Sequence, residues 1–284
     1  MTLDQDWFSE IYAPEGTAFS LKIKQRCHEE KTKYQKIEIL ETESFGHLMV
    51  IDGCIMLTQR DNFIYHEMIS HPALFSHPSP EKILIIGGGD CGTLKEVLKH
   101  DSVTSVQQIE IDERVTQLSE QYFPELCESN SDPRAELMYI DGIKWVQDAP
   151  ANSYDIIIID STDPVGPAVG LFSQSFYQQC HRILKSNGLL VQQSESPLFH
   201  MPLLKDIHSA MRGADYVDAL SVFFPQCSYP SGWWSVTIAC KDNVLGSFRE
   251  EDVDNKSFET TYYNSAIHKA ALAAPAFFYP QIID

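Results

Sequence analysis

The chain has 284 residues, 43% of them hydrophobic, and a formal net charge of -19. This length allows one large domain or a large and a small one, with enough apolar residues for a substantial core. The negative charge repels nucleic acid and anionic membrane surfaces and attracts cationic ligands, so we expect neither nucleic acid nor membrane as a partner.

The cysteines and the N-terminus predict a cytoplasmic protein. The seven cysteines form no CxxC pair and leave one unmatched, which favours reduced thiols over a disulfide framework. The acidic start MTLDQDWFSE has no basic segment before an apolar one, so we do not expect a signal peptide. No apolar run approaches the roughly 20 residues that a membrane-spanning helix needs.

Residues 1–78 are predicted to form a small N-terminal antiparallel β-domain with a connecting helix. Short segments of alternating hydrophobicity at 34–42, 46–52 and 54–59 are separated by glycine or polar turns, as in a small sheet. Residues 62–75 have the character of a helix that leads to the proline-marked boundary HPSPEK.

Residues 79–284 are predicted to form an α/β catalytic domain with a Rossmann-like, doubly wound sheet. Strand-like runs occur at 82–87, 105–111, 135–140, 154–160 and 188–193, and helical segments lie between most of them at 92–100, 113–123, 142–149 and 175–184. This alternation is typical of a parallel sheet. A late run at 232–241 predicts one more strand, antiparallel to the others.

Acidic residues follow four of the predicted strands. Ligands of such sheets bind at the carboxyl ends of the strands. Glu110 lies about 20 residues after the Gly87–Gly89 turn, at the spacing of an acid that hydrogen-bonds the ribose hydroxyls. Asp141-Gly142 follows the third strand. This pattern predicts an adenosyl site in which Asp141 accepts from the adenine amino group. The alternative is that these acids only cap helices.

Asp90 places a negative charge in the glycine turn, where nucleotide sites usually attract anions. A pyrophosphate or a carboxylate would be repelled there, which disfavours NAD and, to a lesser degree, intact S-adenosylmethionine. Decarboxylated S-adenosylmethionine is an adenosyl sulfonium that ends in an amine, so it suits Asp90 by attraction and by exclusion of its rivals.

The chain resembles the spermidine synthases, the polyamine aminopropyltransferases. The resemblance rests on GGGDCGTLKEVLKH, IEIDERV, YIDG, DSTDPVGPAVGLFSQSFY, QSESP, YPSGWWSVT and YYNSAIHKAAL, in that order over nearly the whole chain. It implies a methyltransferase-type Rossmann-like fold, no bound cofactor, a homodimer or homotetramer, and transfer of an aminopropyl group from decarboxylated S-adenosylmethionine to putrescine, which gives spermidine and methylthioadenosine.

The resemblance also implies roles for particular residues. The donor site would comprise Gln35, Gly87, Gly89, Asp90, Glu110, Asp141, Gly142, Pro167 and Leu171. The diamine site would comprise Tyr65, His66, Asp90, Asp163, Gln193, Tyr229 and Trp234. Asp163 would accept the proton of the attacking amine, Asp160 would support it, and Tyr65 and Trp234 would desolvate that amine.

Several of these positions have other interpretations. Tyr65 equally suits a core position, and Trp233 and Trp234 alternate along one strand, so only one of them faces the site. The irregular spacing of His66 and its neighbouring histidines disfavours a metal site. Asp160 and Asp163, three residues apart after a buried strand, favour a site over a helix cap.

Four residues depart from the family pattern. Cys91 replaces an expected glycine, and its side chain is tolerated there if the backbone φ is negative. Met56 replaces glutamine near the donor amine, and Gln59 and Asn62 replace glutamates near the expected amine entrance. These departures leave the acceptor open among putrescine, agmatine, cadaverine and spermidine. Putrescine N-methylation and non-catalytic polyamine binding are the rival functions.

Overall fold

The computed structural model describes residues 4–283, except for the side chains of Pro167 and Ile283. A five-stranded antiparallel sheet forms first. Its strands follow the order of the chain: β1 (Trp7–Tyr12), β2 (Thr17–Lys31), β3 (Lys36–Thr42), β4 (His47–Ile51) and β5 (Cys54–Thr58). Apolar side chains of β3 and β4 are fully buried, which explains why their sequence pattern was clear.

The second sheet has seven strands in the order β11-β12-β10-β9-β6-β7-β8. They are β6 (Lys82–Gly87), β7 (Ser105–Glu110), β8 (Ala135–Tyr139), β9 (Tyr154–Asp160), β10 (Leu184–Gln193), β11 (Asp218–Pro225) and β12 (Trp233–Cys240). Strands β6 to β10 are parallel, and β12 is antiparallel to both β10 and β11. The predicted Rossmann-like fold with a small N-terminal antiparallel sheet is confirmed.

Nine helices lie within the part of the chain that the structure describes. They are α1 (Asn62–Ser76), α2 (Gly92–Leu98), α3 (Glu113–Tyr122), α4 (Gly142–Asp148), α5 (Gln174–Ile183), α6 (Met201–Gly213), α7 (Glu250–Asp254), α8 (Ser265–Ala271) and α9 (Tyr279–Ile283). None of these helices is long and apolar enough to cross a membrane.

Helix α1 packs with the second sheet rather than with the first. Met68, Ile69 and Leu74 of α1 are fully buried in one cluster with Ile83 of β6 and Leu94 of α2. The predicted division into 1–78 and 79–284 therefore shifts, and the boundary lies between β5 and α1, near residue 60. The apolar face of α1 needs a partner surface, and the second sheet provides it.

The order of the strands reverses between β6 and β9. The chain runs outward from β6 through β7 to β8 and then returns to the other side of β6 with β9. Such a switch point leaves a crevice at the carboxyl ends of the strands. The predicted acids therefore meet in that crevice.

Candidate active site

A cleft occupies this crevice, and both sheets contribute to its walls. The predicted site residues that line it are Gln35, Tyr65, Gly87, Gly89, Asp90, Glu110, Asp141, Gly142, Asp160, Asp163, Leu171, Gln193, Tyr229 and Trp234. The side chain of Pro167 lies outside the described part of the chain. The predicted residues thus converge on one cleft although they are spread over two hundred positions of the sequence.

The glycine turn closes tightly over the end of β9. Gly87 has a φ of +85°, and the NH of Gly88 donates a 2.7 Å hydrogen bond to the carbonyl of Asp160. A Cβ at Gly87 would lie 2.1 Å from that same carbonyl oxygen. Only glycine combines this φ with this approach, and the result is bare backbone at the floor of the cleft.

Asp90 forms a buried ion pair with His66. The Nε2 of His66 lies 3.2 Å from Oδ1 of Asp90, and that oxygen also accepts a 2.7 Å hydrogen bond from the NH of Gly92. Burial opposes both charges, but the pairing outweighs it: the pKa of His66 is raised and that of Asp90 is lowered. The pairing therefore favours the charged form of each partner.

The structure places His66 outside the lining of the cleft. Among the residues that the structure describes, those lining the cleft do not include His66, whose ring lies behind Asp90. A Cβ at Gly92 would come within 2.2 Å of this ring, so the ring fills the space that the glycine leaves. His66 positions the Asp90 carboxylate and does not itself form a wall for the diamine.

Cys91 has a left-handed backbone, so the negative φ that would tolerate a side chain at this position is not met. Its φ is +69° and its ψ is 3°, and it is the N-cap residue of α2. This conformation costs a residue with a Cβ about 1–2 kcal/mol, which explains why glycine would suit the position. The Cys91 side chain is fully buried and is not among the described residues that line the cleft.

The residues predicted for the nucleoside lie at one end of the cleft. Burial raises the pKa of Glu110 to about 7, and a Cβ at Gly89 would lie 2.8 Å from its carboxylate. Asp141 caps α4 by accepting a hydrogen bond from the NH of Ile143 at 2.9 Å, as the helix-cap interpretation predicted for this residue. Asp141 also lines the cleft, which leaves it available to a ligand.

Gln35 reaches this end from the first sheet. Its side-chain amide donates a 3.2 Å hydrogen bond to Asp112, and Thr32 donates to the same carboxylate oxygen at 2.7 Å. Asp112 in turn caps α3. These contacts fix the wall of the first sheet against the nucleoside end of the cleft.

Asp160 is held by two hydroxyl groups. Tyr65 donates to its Oδ1 and Thr93 donates to its Oδ2, each at 2.6 Å. Burial and then the charge of Asp90 raise the pKa of Asp160. Burial also raises the pKa of Tyr65 well above its ordinary range, so its phenol keeps the proton and donates. Thr93 was not among the predicted site residues.

Asp163 lies in a different acidic group, with Glu10 and Glu195. Burial raises the pKa of Glu10 to about 7, with Asp163 adding to the shift, while the NH of Ile55 donates to Glu10 at 2.7 Å. Glu195 is buried, and burial and then the nearby Asp163 raise its pKa well above the usual value. Glu10 and Asp163 thus line the cleft, and the buried Glu195 lies close to Asp163.

Aromatic rings separate the two groups of acids. Tyr229 packs edge to face against Tyr65 and Trp234, with ring centroids 5.9 and 4.8 Å apart, and its hydroxyl donates to the carbonyl of Met56. Trp234 lines the cleft, whereas Trp233 packs against Phe223 at 5.9 Å. The structure therefore identifies Trp234 as the tryptophan that faces the site.

Two of the departures from the family pattern have structural roles. Gln59 accepts from the NH of His47 at 2.8 Å and donates to Glu125 at 3.1 Å. Asn62 donates to the carbonyl of Thr58 at 2.8 Å at the start of α1. In the described part of the chain neither residue lines the cleft, so they do not alter its charge directly; Met56 does line it.

The described residues contain no group of three or more His, Cys, Asp or Glu side chains arranged to hold a metal ion. The cleft itself is lined by carboxyl groups, hydroxyl groups and aromatic rings. These suit an adenosyl group at one end and a cationic amine at the other.

Comparison with known proteins agrees with this geometry. A family model described as the spermine/spermidine synthase domain matches residues 62–248, and one described as the spermidine synthase tetramerisation domain matches residues 6–59. The chain belongs to the spermidine synthase family. The junction between the two matches coincides with the boundary near residue 60.

Members of the spermidine synthase family resemble the chain over almost its full length. It is 62% identical to a polyamine aminopropyltransferase of Thioalkalivibrio sulfidiphilus, over 98% of both chains. It is 60% identical to one of Methylococcus capsulatus, over 96% of both. The solved spermidine synthase of Thermotoga maritima superposes with a TM-score of 0.92 at 34% identity, over 99% of this chain and 96% of that one.

A further solved spermidine synthase, in complex with the transition-state analogue AdoDATO, superposes with a TM-score of 0.93, also at 34% identity and with the same coverage. The predicted enzyme class is confirmed: the chain is an enzyme of the polyamine aminopropyltransferases. Sequence reasoning missed Glu10, which lines the cleft, and also Thr93 and Glu195, which lie close to Asp160 and Asp163. Glu195 lay within the quoted motif QSESP, and Glu10 lay in a strand that was not predicted.

Proposed function

We propose that the protein transfers the aminopropyl group of decarboxylated S-adenosylmethionine to putrescine, giving spermidine and methylthioadenosine. The observation that carries the proposal is the position of Asp90. Asp90 forms an ion pair with His66 and lines the cleft at the glycine turn. A donor that ends in an ammonium is attracted there, and one that ends in a carboxylate is repelled.

The reaction is an in-line displacement at carbon. The amine nitrogen forms a bond to the aminopropyl carbon, the bond from that carbon to the sulfonium sulfur breaks, and its electron pair remains on sulfur as a neutral thioether. Only a neutral amine has the lone pair, and freeing an ammonium at pH 7 costs about 4–5 kcal/mol, because its pKa is near 10.4. The site must therefore treat the two ends of the diamine differently.

We infer that Asp160 accepts the proton of the attacking amine and that Asp163 holds the far ammonium, which exchanges the roles expected from the sequence. The raised pKa of Asp160, its hydrogen bond from Tyr65 and its proximity to Asp90 support the first role. The proximity of Asp163 to Glu10 and Glu195 supports the second.

The aromatic rings lower the polarity between these two regions. Tyr65, Tyr229 and Trp234 line the cleft there and desolvate the reacting amine, which lowers its pKa. The cleft also holds both substrates in one orientation, which removes much of the entropic cost of a two-substrate reaction. The protein uses no cofactor in this proposal, and decarboxylated S-adenosylmethionine is a co-substrate.

Product analysis by mass spectrometry tests the proposal. The enzyme is incubated with decarboxylated or intact S-adenosylmethionine and with putrescine, cadaverine, agmatine or spermidine. We expect methylthioadenosine and spermidine from the decarboxylated donor and putrescine. S-adenosylhomocysteine from the intact donor would show a methyltransferase, a better amine would change the acceptor, and no product from any pair would show a non-catalytic binder.

We further propose that the first sheet joins copies of the chain into a homotetramer. The description of the family model that matches residues 6–59 supports this. Light scattering after size-exclusion chromatography should give four times the mass of the chain. A mass of two chains would restrict the assembly to a homodimer, and a mass of one would contradict self-association.

A further inference from the structure

Two thiol groups meet next to the donor turn. The Sγ of Cys91 lies 3.6 Å from the carbonyl oxygen of Gly89, and the Sγ of Cys127 lies 3.7 Å from that of Asp90. These carbonyls belong to consecutive residues, so both thiols lie against the same short stretch of the donor turn. All seven cysteines are free thiols in the structure, so these two do not form a disulfide.

The two cysteines differ in exposure and in backbone. Cys91 is fully buried on the strained left-handed turn, whereas Cys127 is partly exposed on the irregular segment between α3 and β8. Lys95 of α2 anchors that segment, since its ammonium donates to the carbonyl of Glu125 at 2.5 Å and pairs with Glu128 at 3.0 Å. The segment that carries the accessible thiol is thereby held on α2, directly after the turn that carries the buried thiol.

We propose that Cys91 and Cys127 form a disulfide when the enzyme meets a hydroperoxide, and that this modification reversibly weakens donor binding. The sulfur of Cys127 attacks the peroxide oxygen, which breaks the O–O bond and gives a sulfenic acid and water. The sulfur of Cys91 then attacks the sulfur of Cys127, the S–O bond breaks, and a second water leaves. Two thiols and one hydrogen peroxide thus give one disulfide and two waters.

The order of these steps follows from the surroundings of each thiol. Contact with Cys127 and then burial raise the pKa of the Cys91 thiol, so it is poor in the reactive thiolate. Cys127 is the more accessible of the two and reacts with the peroxide first. Cys91 then serves as the resolving thiol, and a dithiol reductant reverses the reaction.

The disulfide would move the part of the turn that carries Asp90. A disulfide holds its sulfurs about 2.05 Å apart, so two thiols in non-bonded contact must approach by about 1 Å or more. Oxidation also removes the thiol contacts with the carbonyls of Gly89 and Asp90. The Asp90 carboxylate is bonded to His66 and to the NH of Gly92, so a shift of this turn displaces it within the cleft.

Four proteins test the proposal: the unchanged enzyme, Cys127→Ser, Cys91→Gly and the control Cys227→Ser, which alters an exposed thiol outside the turn. Each is treated with hydrogen peroxide, alkylated, digested and mapped by mass spectrometry without reduction. We expect a peptide pair cross-linked through Cys91 and Cys127 in the unchanged enzyme and in the control only. Absence of this cross-linked pair after complete peroxide consumption would overturn the proposal. The result does not depend on which donor the enzyme uses.

Kinetics supply the second readout, with each protein compared with its own reduced form. We expect oxidation to reduce kcat/KM for the donor at least tenfold in the unchanged enzyme and in Cys227→Ser, with recovery in dithiothreitol. Cys91→Gly and Cys127→Ser should stay within twofold of their reduced rates. An equal loss in all four proteins would attribute inactivation to other oxidised residues and would contradict the proposal.

Discussion

Asp160 and Asp163 lie three residues apart but belong to different groups of side chains. Asp160 accepts hydrogen bonds from Tyr65 and Thr93, and the charge of Asp90 raises its pKa after burial does. Asp163, in contrast, adds to the raised pKa values of Glu10 and Glu195. The turn that follows β9 therefore supplies one carboxylate to each of two acidic groups of the cleft. Two acids of the same type thereby gain different chemistry from their surroundings.

Asn substitutions at these two positions should have distinct kinetic effects. Asp160→Asn should lower kcat at least a hundredfold, the usual scale for loss of a general base, with a small change in the KM for putrescine. Asp163→Asn should raise that KM about tenfold to a hundredfold, because it removes a charge-assisted contact of about 1.5–3 kcal/mol, and should lower kcat less than tenfold. Steady-state kinetics at saturating donor give both constants. The reverse pattern would restore Asp163 as the proton acceptor.

Asp90→Asn should change the donor preference. Binding of decarboxylated S-adenosylmethionine should weaken by about 1.5–3 kcal/mol, the scale of a hydrogen bond to a charged group, while binding of intact S-adenosylmethionine should weaken much less or improve. Calorimetry with both donors measures the four affinities. Asp141→Asn is the matched control at the nucleoside end, and it should weaken both donors equally. Equal weakening by Asp90→Asn would mean that Asp90 only shapes the turn.

The pair of His66 and Asp90 should make stability depend on pH. The pKa of His66 is raised in the folded state, so its contribution is fully present below the unfolded value of about 6.5 and is lost as the pH rises through the folded-state value. Urea unfolding of the unchanged enzyme and of His66→Gln measures this. The difference in their free energies of unfolding should shrink as the pH rises above 6.5. A constant difference up to pH 9 would show that His66 does not titrate as part of this pair.

The segment 164–171 should become ordered over bound substrates. Val165 and Val169 are exposed there, at 73% and 55%, while Leu171 of the same segment lines the cleft. Hydrogen exchange should show protection of 164–171 when methylthioadenosine and putrescine are added together, because apolar side chains then gain a surface to cover. Helix α1, which is largely buried, serves as the internal reference and should not change. Unaltered exchange across 164–171 would exclude a closing segment.

The strands around the cleft could be predicted because they are buried on both faces. Runs such as KILIIG and YDIIIID have an apolar side chain at nearly every position, and the acids that follow them mark the carboxyl ends. β2 could not be predicted in the same way, since TAFSLKIKQRCHEEK is mostly polar and largely exposed. Strand β1 was missed along with β2, and Glu10 was missed with it.

Contacts between distant residues were also beyond the sequence. His66 and Asp90 are 24 positions apart, and no local pattern shows that a ring lies behind a carboxylate. The left-handed φ of Cys91 depends on how the turn meets α2, and a cysteine in the sequence does not predict such a backbone. The family pattern did indicate this backbone, because it has a glycine at that position.

The two sheets share one cleft, and this limits how the protein can change over generations. Gln35 and Glu10 come from the first sheet, Asp90 and Asp160 from the second, and Gln35 is bonded to Asp112 across the junction. A recombination event that exchanged the first sheet with that of a relative would keep the displacement chemistry and replace part of the wall that selects the substrates. The wall that the first sheet provides can therefore vary while the acids of the second sheet stay in place, although neither sheet alone forms the cleft.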